Sequence, residues 1–448
     1  MCEAVVDCPH STPVWTDSGF VVLRNQNIKD GRLDLSAPSY TDEEHFKQRV
    51  RRMAPRPGDI VITREAPMGE VCKIPDGLTC CLGQRQVLLR PKAGINADYL
   101  LYALQSPVVQ EQIRWNEGTG STVSNIRIPV LEKIEIPRLG ASEQFIAAAL
   151  KSVDDKIDLN RRINQTLEAI AQAIFQSWFV DFEPVKAKIA ARAEGRDPLR
   201  AAMSAVSGKA DAELDALPPE QYEQLAATAV LFPDEMEESE LGEIPKGCIA
   251  GSLGDICNFT AGSAFSPEHQ GSAGGDYPFI KVSDMNLVGN EVFIQSANNY
   301  VSQARKLEMK AKLHPQGATV FAKIGVALIS NRRRLLITPT IIDNNMMSAS
   351  PIEGKSASYF LYSMLSTIDF NTLVSGTALP YLNVSDLRKI PIVRPLDGVC
   401  RAFELKAASI FLMMQKLAAQ SVTLASVRDA LLPKLLSGEI EVSGLDEG

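Results

Sequence analysis

Apolar positions recur in the same places twice along this chain. Shifting the sequence by 256 to 260 residues lays VLRNQNI (22–28) on FIKVSDM (279–285), PGDIVITR (57–64) on QGATVFAK (316–323) and NADYLLYALQSP (96–107) on SASYFLYSMLST (356–367). The same shift lays LEKIEIP (131–137) on LRKIPIV (387–393) and LEAIAQAIFQSWF (167–179) on LASVRDALLPKLL (424–436). Hydrophobic positions coincide while polar ones diverge, as expected of one scaffold used twice with two different surfaces.

Within each copy, short apolar runs bounded by Gly, Pro and Asn predict strands. They are VVL (21–23), DIVIT (59–63), QVLLR (86–90) and KIEIP (133–137), then TVFAK (319–323), RLLIT (334–338) and KIPIV (389–393). Helical spacing interrupts them around 99–105 and 359–365. Each copy is therefore a domain of the α/β or α+β class, at 1–140 and 242–396. Counterparts of GEIPKGCIAGSLGD (242–255) are absent ahead of Met1. The first domain is thus expected to have a shortened sheet edge, unless the start codon is assigned downstream.

A long helical pattern follows each domain, over about 142–179 in the segment 141–187 and about 401–436 in the segment 397–440. In the first, Ile146, Leu150, Val153, Ile157, Asn160, Asn164, Leu167, Ala171, Ile174 and Trp178 alternate spacings of four and three, the seam of a coiled coil. The second carries Phe403, Ile410, Met413, Leu417, Leu424, Val427 and Leu431 on a comparable stripe, until Pro433 disturbs its last turn. Two copies related by a pseudo-twofold axis would pair these helices antiparallel, each roughly 55 Å long at ~1.5 Å per residue. Asn160 and Asn164 would then fix the register at some cost in stability. The other arrangement is an ordinary amphipathic helix packed on its own domain. Between the copies, 188–241 reads as an acidic linker of short surface helices without a core, and 441–448 is a tail.

The net charge of −8 speaks against nucleic acid until its distribution is counted. Residues 1–138 carry 17 basic and 17 acidic side chains, and 242–396 carry 14 and 11, whereas 183–241 carry 6 and 13. The excess acid sits in the linker, leaving Arg49, Arg51, Arg52 and Arg56 in one copy and Arg332, Arg333 and Arg334 in the other to meet phosphates or to decorate solvated loops. No apolar run approaches the ~18 residues of a membrane span, and the acidic start does not suit a signal peptide, so a cytoplasmic protein is expected. The eight cysteines include no CxxC pair and read as reduced, buried thiols.

Catalysis leaves residue signatures, and the familiar ones are absent from this sequence. The only Pro-Pro, at Pro218 and Pro219, precedes Glu220, so the (N/D)PP(Y/F) motif of an adenine methyltransferase is missing. Gly354, Lys355 and Ser356 approach a phosphate loop, but Ala349 takes the place of its first glycine, and the repeat makes this a turn before a helix. His10, His45, His269 and His314 have no metal-ligand spacing. No metal, cofactor or reaction is expected of the chain itself.

Four segments carry a resemblance: DCPHSTPVWTDSGFVVLRNQNIKDGRLDL (7–35), IFQSWFVDFEPVKAK (174–188), LFPDEMEESELGEIPKG (231–247) and RDALLPKLLSGEI (428–440). With them the chain resembles, over nearly its whole length, the DNA specificity subunit of bacterial and archaeal Type I restriction-modification systems. The resemblance implies two target recognition domains, each followed by a conserved helix, the helices forming an antiparallel coiled coil. It implies a non-catalytic subunit that binds double-stranded DNA and joins two methyltransferase subunits and the translocase-nuclease subunits, which perform adenine methylation and restriction. Two unlike readers on a stiff spacer suit a split, asymmetric target whose halves lie about one helical turn, ~34 Å, apart.

Base edges would be met by Arg, Lys, Asn and Gln on loops. Candidates in the first copy are Arg24, Asn25, Asn27, Arg49, Arg51, Arg52, Arg64, Gln84, Arg85, Gln86, Ser121, Thr122 and Asn125. In the second they are Lys281, Asp284, Asn286, Lys323, Asn331, Arg332, Arg333, Asn344, Asn345 and Thr377. The resemblance places the methyltransferases on the outward faces of the helices, including Trp178, Phe179, Leu431, Leu432, Leu435 and Leu436, though the aromatic pair could equally be buried against its own domain. Two readings stay open beside this one: a stand-alone methyltransferase or nuclease with unrecognised motifs, and a coiled-coil scaffold that never touches DNA.

Overall fold

The computed structural model describes residues 1–115, 125–376 and 380–441. The chain divides into two compact units: Met1–Lys156 with the segment from Leu424 onward, and Ile157–Thr423. These units do not follow the sequence domains, because each takes part of both long helices.

In the first unit, Gln86–Pro91 lies between Cys2–Asp7 and Ile60–Thr63, with Val71–Lys73 beyond, all antiparallel. Its second sheet centres on Phe20–Leu23, antiparallel to Ser39–Thr41 and parallel to Cys80–Leu82. The second unit repeats this order. Met346–Pro351 lies between Cys257–Ala261 and Thr319–Ala322, with Arg333–Leu336 beyond, and Tyr277–Ile280 is antiparallel to Asn299–Val301 and parallel to Ile341–Ile342. Even the register is kept: Ile62 faces Val87 in one copy, and Phe321 faces Met347 in the other. These central strands read as continuous apolar runs because both faces are covered, and Ile60, Val61 and Ile62 are all fully buried.

One expected strand is not formed. KIEIP (133–137) corresponds to KIPIV, which contributes to the strand Pro391–Arg394 paired with Ile249–Ser252. Among the described residues the first copy supplies no counterpart of Ile249–Ser252. The main chain of Glu135 bonds instead to the side chain of Gln112, and the Pro137 carbonyl accepts from the Tyr99 hydroxyl. A strand requires a neighbour for its ladder, and local sequence cannot provide one.

The two long helices run Ser142–Phe179 and Asp397–Ser437. In the second unit they are antiparallel: Asn160 Nδ2 donates to Gln420 Oε1 at 3.0 Å and Ser421 Oγ at 3.3 Å, and Asn164 Nδ2 donates to the Met414 carbonyl at 3.2 Å. In the first unit Ile146, Ala147 and Leu150 pack with Leu432, Leu435 and Leu436 around Tyr99 and Tyr102. This burial carries the helix through Pro433. A mid-helix proline costs roughly 3 kcal/mol, and three leucines return ~1.5–3 kcal/mol each.

The seam of the second helix differs from the expected stripe. Met413 and Val427 are exposed, while Met414, Ser421, Ala425 and Arg428 are buried. Ser421 and Arg428 take polar seam positions because Asn160 and Asp154 face them, while Phe403 and Leu417 of the expected stripe are buried. By length and composition a stretch of this helix is apolar enough to cross a membrane, although polar and charged residues interrupt it. Part of that character belongs to the core of the second unit, where Phe403, Ala407, Phe411 and Met414 are buried.

The acidic linker is also more than surface. Helices Glu183–Ala193, Pro198–Ser207 and Pro219–Val230 enclose a small core of Ala202, Met203, Leu214 and Ala229. Buried Lys188 ties the first of them to the Phe232 carbonyl at 2.6 Å and to Asp234 at 3.1 Å.

Asn160 and Asn164 each bury an amide oxygen that has no hydrogen-bond partner. Asn164→Leu removes one such oxygen for the loss of one 3.2 Å bond, so stability should hold or rise by ~1 kcal/mol, a few degrees in Tm. Thermal unfolding checks this, and a drop of several degrees would show that the bond outweighs the stranded oxygen.

Candidate nucleic-acid interface

The polar loops of the first β-rich domain meet at one edge. His10 Nε2 lies 3.1 Å from Asp7 Oδ2, Asp7 Oδ1 accepts from Arg64 NH1 at 2.8 Å, and Arg64 NH2 donates to Asn125 Oδ1 at 3.3 Å. Asn125 Nδ2 donates to Glu65 Oε1 at 2.7 Å, and the other Glu65 oxygen faces Arg85 Nε at 3.3 Å. Four segments distant in sequence thus share one chain of contacts. Beside it Asn25 donates to the Glu65 carbonyl and Gln84 to the His10 carbonyl, while Arg24 lies over the Trp15 ring, 5.3 Å from its centroid.

The main chain explains why these loops converge. Arg64 N–H donates to the Arg85 carbonyl, and Ile126 N–H donates to the Arg64 carbonyl, so three loops are clasped at one residue. In the second unit Lys323 N–H donates to the Asn345 carbonyl, and Leu382 N–H to that of Lys323. Arg64 and Lys323 are equivalent in the repeat, as are Arg85 and Asn345. The clasp is common to both copies and the side chains it displays are not.

A second shared device sits beside it. Asn27 Oδ1 accepts the N–H of Arg24 at 2.9 Å, and Asp284 Oδ2 accepts that of Lys281 at 2.7 Å, each closing a short 3-10 turn. The turn presents Arg24 or Lys281, and Lys281 lies over the Phe265 ring at 5.4 Å much as Arg24 lies over Trp15. A cation held on an aromatic face keeps its charge directed outward with little rotamer freedom left to lose.

This geometry sorts the sequence candidates. Asn27 and Asp284 are buried caps, 3% and 0% exposed. Arg49 is 7% exposed and donates to the carbonyls of Leu82, Gly83, Ser11 and Pro9, stapling the loops that carry the patch. Burial pulls its pKa below the usual arginine value. Gln86 is fully buried and accepts from Gly83 N–H. Arg333 is buried over the Phe370 ring, donating to the Asn331 and Ile368 carbonyls, and burial lowers its pKa to about 10. Each of these candidates is bonded here to main-chain groups that would otherwise lie buried and unpaired.

Arg24, Arg51, Arg52, Arg85, Asn286, Arg332, Asn344 and Asn345 are exposed, while Asn25, Arg64, Gln84, Asn125, Lys281, Lys323 and Asn331 are half-buried. Ser121, Thr122 and Thr377 lie outside the described residues. Sequence reasoning passed over Trp15, half-exposed in PVWTD, whose signal was an aromatic amid polar neighbours. It also passed over Arg305, Lys306, Lys310 and Lys312 on and after the helix Gln303–Glu308, the counterpart of Glu43–Arg49, which precedes Arg51 and Arg52.

The partner-docking candidates lie mostly buried within the chain's own units. Trp178 and Phe179 are 2% and 6% exposed, packed with Phe175, Phe232, Phe360 and Phe403 in the second unit. Rings of this size at a helix end stabilise most when buried, and here their own unit covers them. Leu432, Leu435 and Leu436 are buried around Tyr99 and Tyr102, with Leu431 partly buried beside them. The large apolar side chains left exposed on the helices include Leu159, Ile170, Leu405, Leu412 and Met413.

His314 is buried with Nδ1 2.7 Å from Ser348 Oγ, and burial lowers its pKa to about 4, keeping it neutral. Burial pushes the Cys80 thiol up to about 12 and the Cys81 thiol to about 11. Gly354 and Lys355 lie on a turn ahead of the helix Ser358–Thr367.

The profile of the family described as Type I restriction modification DNA specificity domain matches residues 20–169 and again 245–397. The chain belongs to this family. It is similar to the Type I restriction enzyme HindI specificity subunit of Haemophilus influenzae, with 35% identity over 72% of this chain and 71% of that one. It is also similar to the MjaIX specificity subunit of Methanocaldococcus jannaschii, 28% identical over 90% and 82% of the two chains. A crystal structure of the S subunit from M. genitalium aligns with 94% of this chain and 93% of its own at 16% identity, with a TM-score of 0.42. The two profile matches correspond to the two copies, and the helical linker falls between them.

Caps and contacts separate by experiment. Asn27→Ala should lower the stability of the first unit by ~1–2 kcal/mol, because a buried cap is lost. Arg24→Ala, at an exposed site, should leave Tm within a degree of wild type while weakening duplex binding. Thermal unfolding alongside a binding titration distinguishes the two, and a stable Asn27→Ala protein with impaired binding would return Asn27 to the interface.

Proposed function

We propose that the chain reads a split, asymmetric duplex target, one half with each β-rich domain, and directs adenine methylation and restriction performed by partner subunits. The observation that carries this reading is the shared clasp with unlike display: Arg24 against Lys281, Arg64 against Lys323 and Arg85 against Asn345 on one backbone plan. Side chains that differ on equivalent loops read different bases, while Arg51, Arg52, Arg305 and Lys310 suit phosphates that carry no sequence information. Sequence-domain boundaries at 1–140 and 242–396 remain part of this reading.

The chain itself carries out no reaction in this account. Two methyltransferase subunits and the translocase-nuclease subunits supply the chemistry, and the exposed Leu405, Leu412 and Met413 with Leu159 and Ile170 offer the helix faces on which such partners dock. The setting is the cytoplasm, where cellular duplex DNA is met. Purified chain should transfer no methyl groups alone and gain activity with a methyltransferase partner, which separates this reading from a stand-alone enzyme.

Modularity supplies the direct test. Exchanging residues 1–138 for the corresponding domain of a relative should change one half of the modified sequence and spare the other, as read by mapping methylated sites. A change in both halves, or in neither, would contradict one domain reading one half.

A further inference from the structure

Tyr102 and Tyr362 occupy equivalent positions in the two copies, on the helices Ala97–Gln105 and Ser358–Thr367. Both are buried, at 3% and 2% exposure. Each hydroxyl leaves its own domain and donates to a carboxylate of the first long helix, Tyr102 to Asp154 Oδ2 at 2.8 Å and Tyr362 to Glu168 Oε1 at 2.5 Å. The repeat does not require this, since Asp154 and Glu168 are unrelated positions on one helix.

The surroundings make each bond a seat. In the first unit the other Asp154 oxygen pairs with Arg32 NH2 at 3.0 Å, from the domain, and with Arg428 NH1 at 2.8 Å, from the second long helix. One carboxylate therefore joins the β-rich domain to both helices. In the second unit Glu404 accepts the N–H groups of Tyr359 and Phe360 at 3.1 and 3.0 Å, capping the helix that carries Tyr362. Arg161 pairs with Glu291 at 3.0 Å there, and Gly289 at φ +84° lies so close to the second helix that a Cβ would stand 2.9 Å from the Ala418 carbonyl. Burial pushes the Glu168 carboxyl up, against the Tyr362 hydroxyl and Arg334, which favour its charge.

We propose that Tyr102 and Tyr362 are positioning residues for target spacing: each fixes the angle at which its recognition domain sits on the helices, and so the length of unread DNA accepted between the half-sites. The inference rests on the split-target reading above. Apolar packing resists separation of domain and helix but is non-directional, whereas a buried hydrogen bond to a carboxylate holds one orientation. Tyr99 provides the control. It lies on the same helix as Tyr102 and is also buried, but its hydroxyl donates to the Pro137 carbonyl within its own domain.

The experiment uses the full chain assembled with its methyltransferase partner and a panel of duplexes. Both half-sites are held constant and the unread gap is the native length, one base pair shorter or one longer. Wild type should strongly prefer a single gap. Tyr102→Phe should reduce that preference about ten-fold, the worth of one hydrogen bond to a charged group, with base preferences inside the half-sites unchanged. Tyr99→Phe should keep the wild-type preference. Tyr362→Phe makes the same prediction for the other domain and keeps the proposal falsifiable should Tyr102→Phe fail to fold. The seat is overturned if the variants that fold lose activity equally at every gap length, or if Tyr99→Phe relaxes the gap as much. A wild-type complex that modifies an unsplit target would instead overturn the reading beneath it.

Discussion

Two helices with wholly apolar faces can slide past one another by a turn at little cost; helices whose seam carries Asn160, Asn164 and the Asp154–Arg428 pair cannot. Displacing the seam would strand two buried amides and leave a carboxylate opposite no guanidinium, a penalty of several kcal/mol. Asn160 and Asn164 each leave an oxygen unpaired, so the polar seam costs stability and supplies register. The β-rich domains depend on that register, because their seats are made by residues of both helices.

The duplicated domain adds a second constraint. Strand order, register, the three-loop clasp and the capped 3-10 turn recur in both copies, so the backbone that presents the loops is kept while the presented side chains vary. Such a scaffold separates folding from recognition: the buried Asn27, Asp284, Arg49 and Arg333 hold loops in place, and the exposed Arg24, Arg85, Asn344 and Asn345 are free to differ. In the first domain the recognition edge is also internally charge-compensated, with Asp7 and Glu65 paired to Arg64 and Arg85, which orders long side chains before a ligand arrives.

Much of the fold was legible because periodicity is a property of the chain itself. The first long helix runs from Ser142 to Phe179 as its spacing indicates, and the buried strands follow their apolar runs. What failed depended on partners elsewhere in the chain. KIEIP has strand composition and no strand beside it; Val427 outranks Ser421 and Arg428 in hydrophobicity, yet the facing Asn160 and Asp154 select the latter. The site was less legible for a related reason. An asparagine or arginine on a loop has the same letter whether it caps a turn, staples carbonyls or faces a ligand, so Asn27, Arg49 and Gln86 could not be told from Arg24, Arg85 and Gln84. The exposed Trp15 and the basic helix at 303–308 were within reach, the first as an aromatic among polar residues, the second through the repeat itself.

The central claim is that two readers on one backbone plan address two separate stretches of duplex. The most direct measurement is a genome-wide map of modified adenines in cells that carry this chain with its methyltransferase partner. The account predicts one motif made of two unlike halves separated by a constant number of unspecified bases. A contiguous motif, or two identical halves, would contradict it.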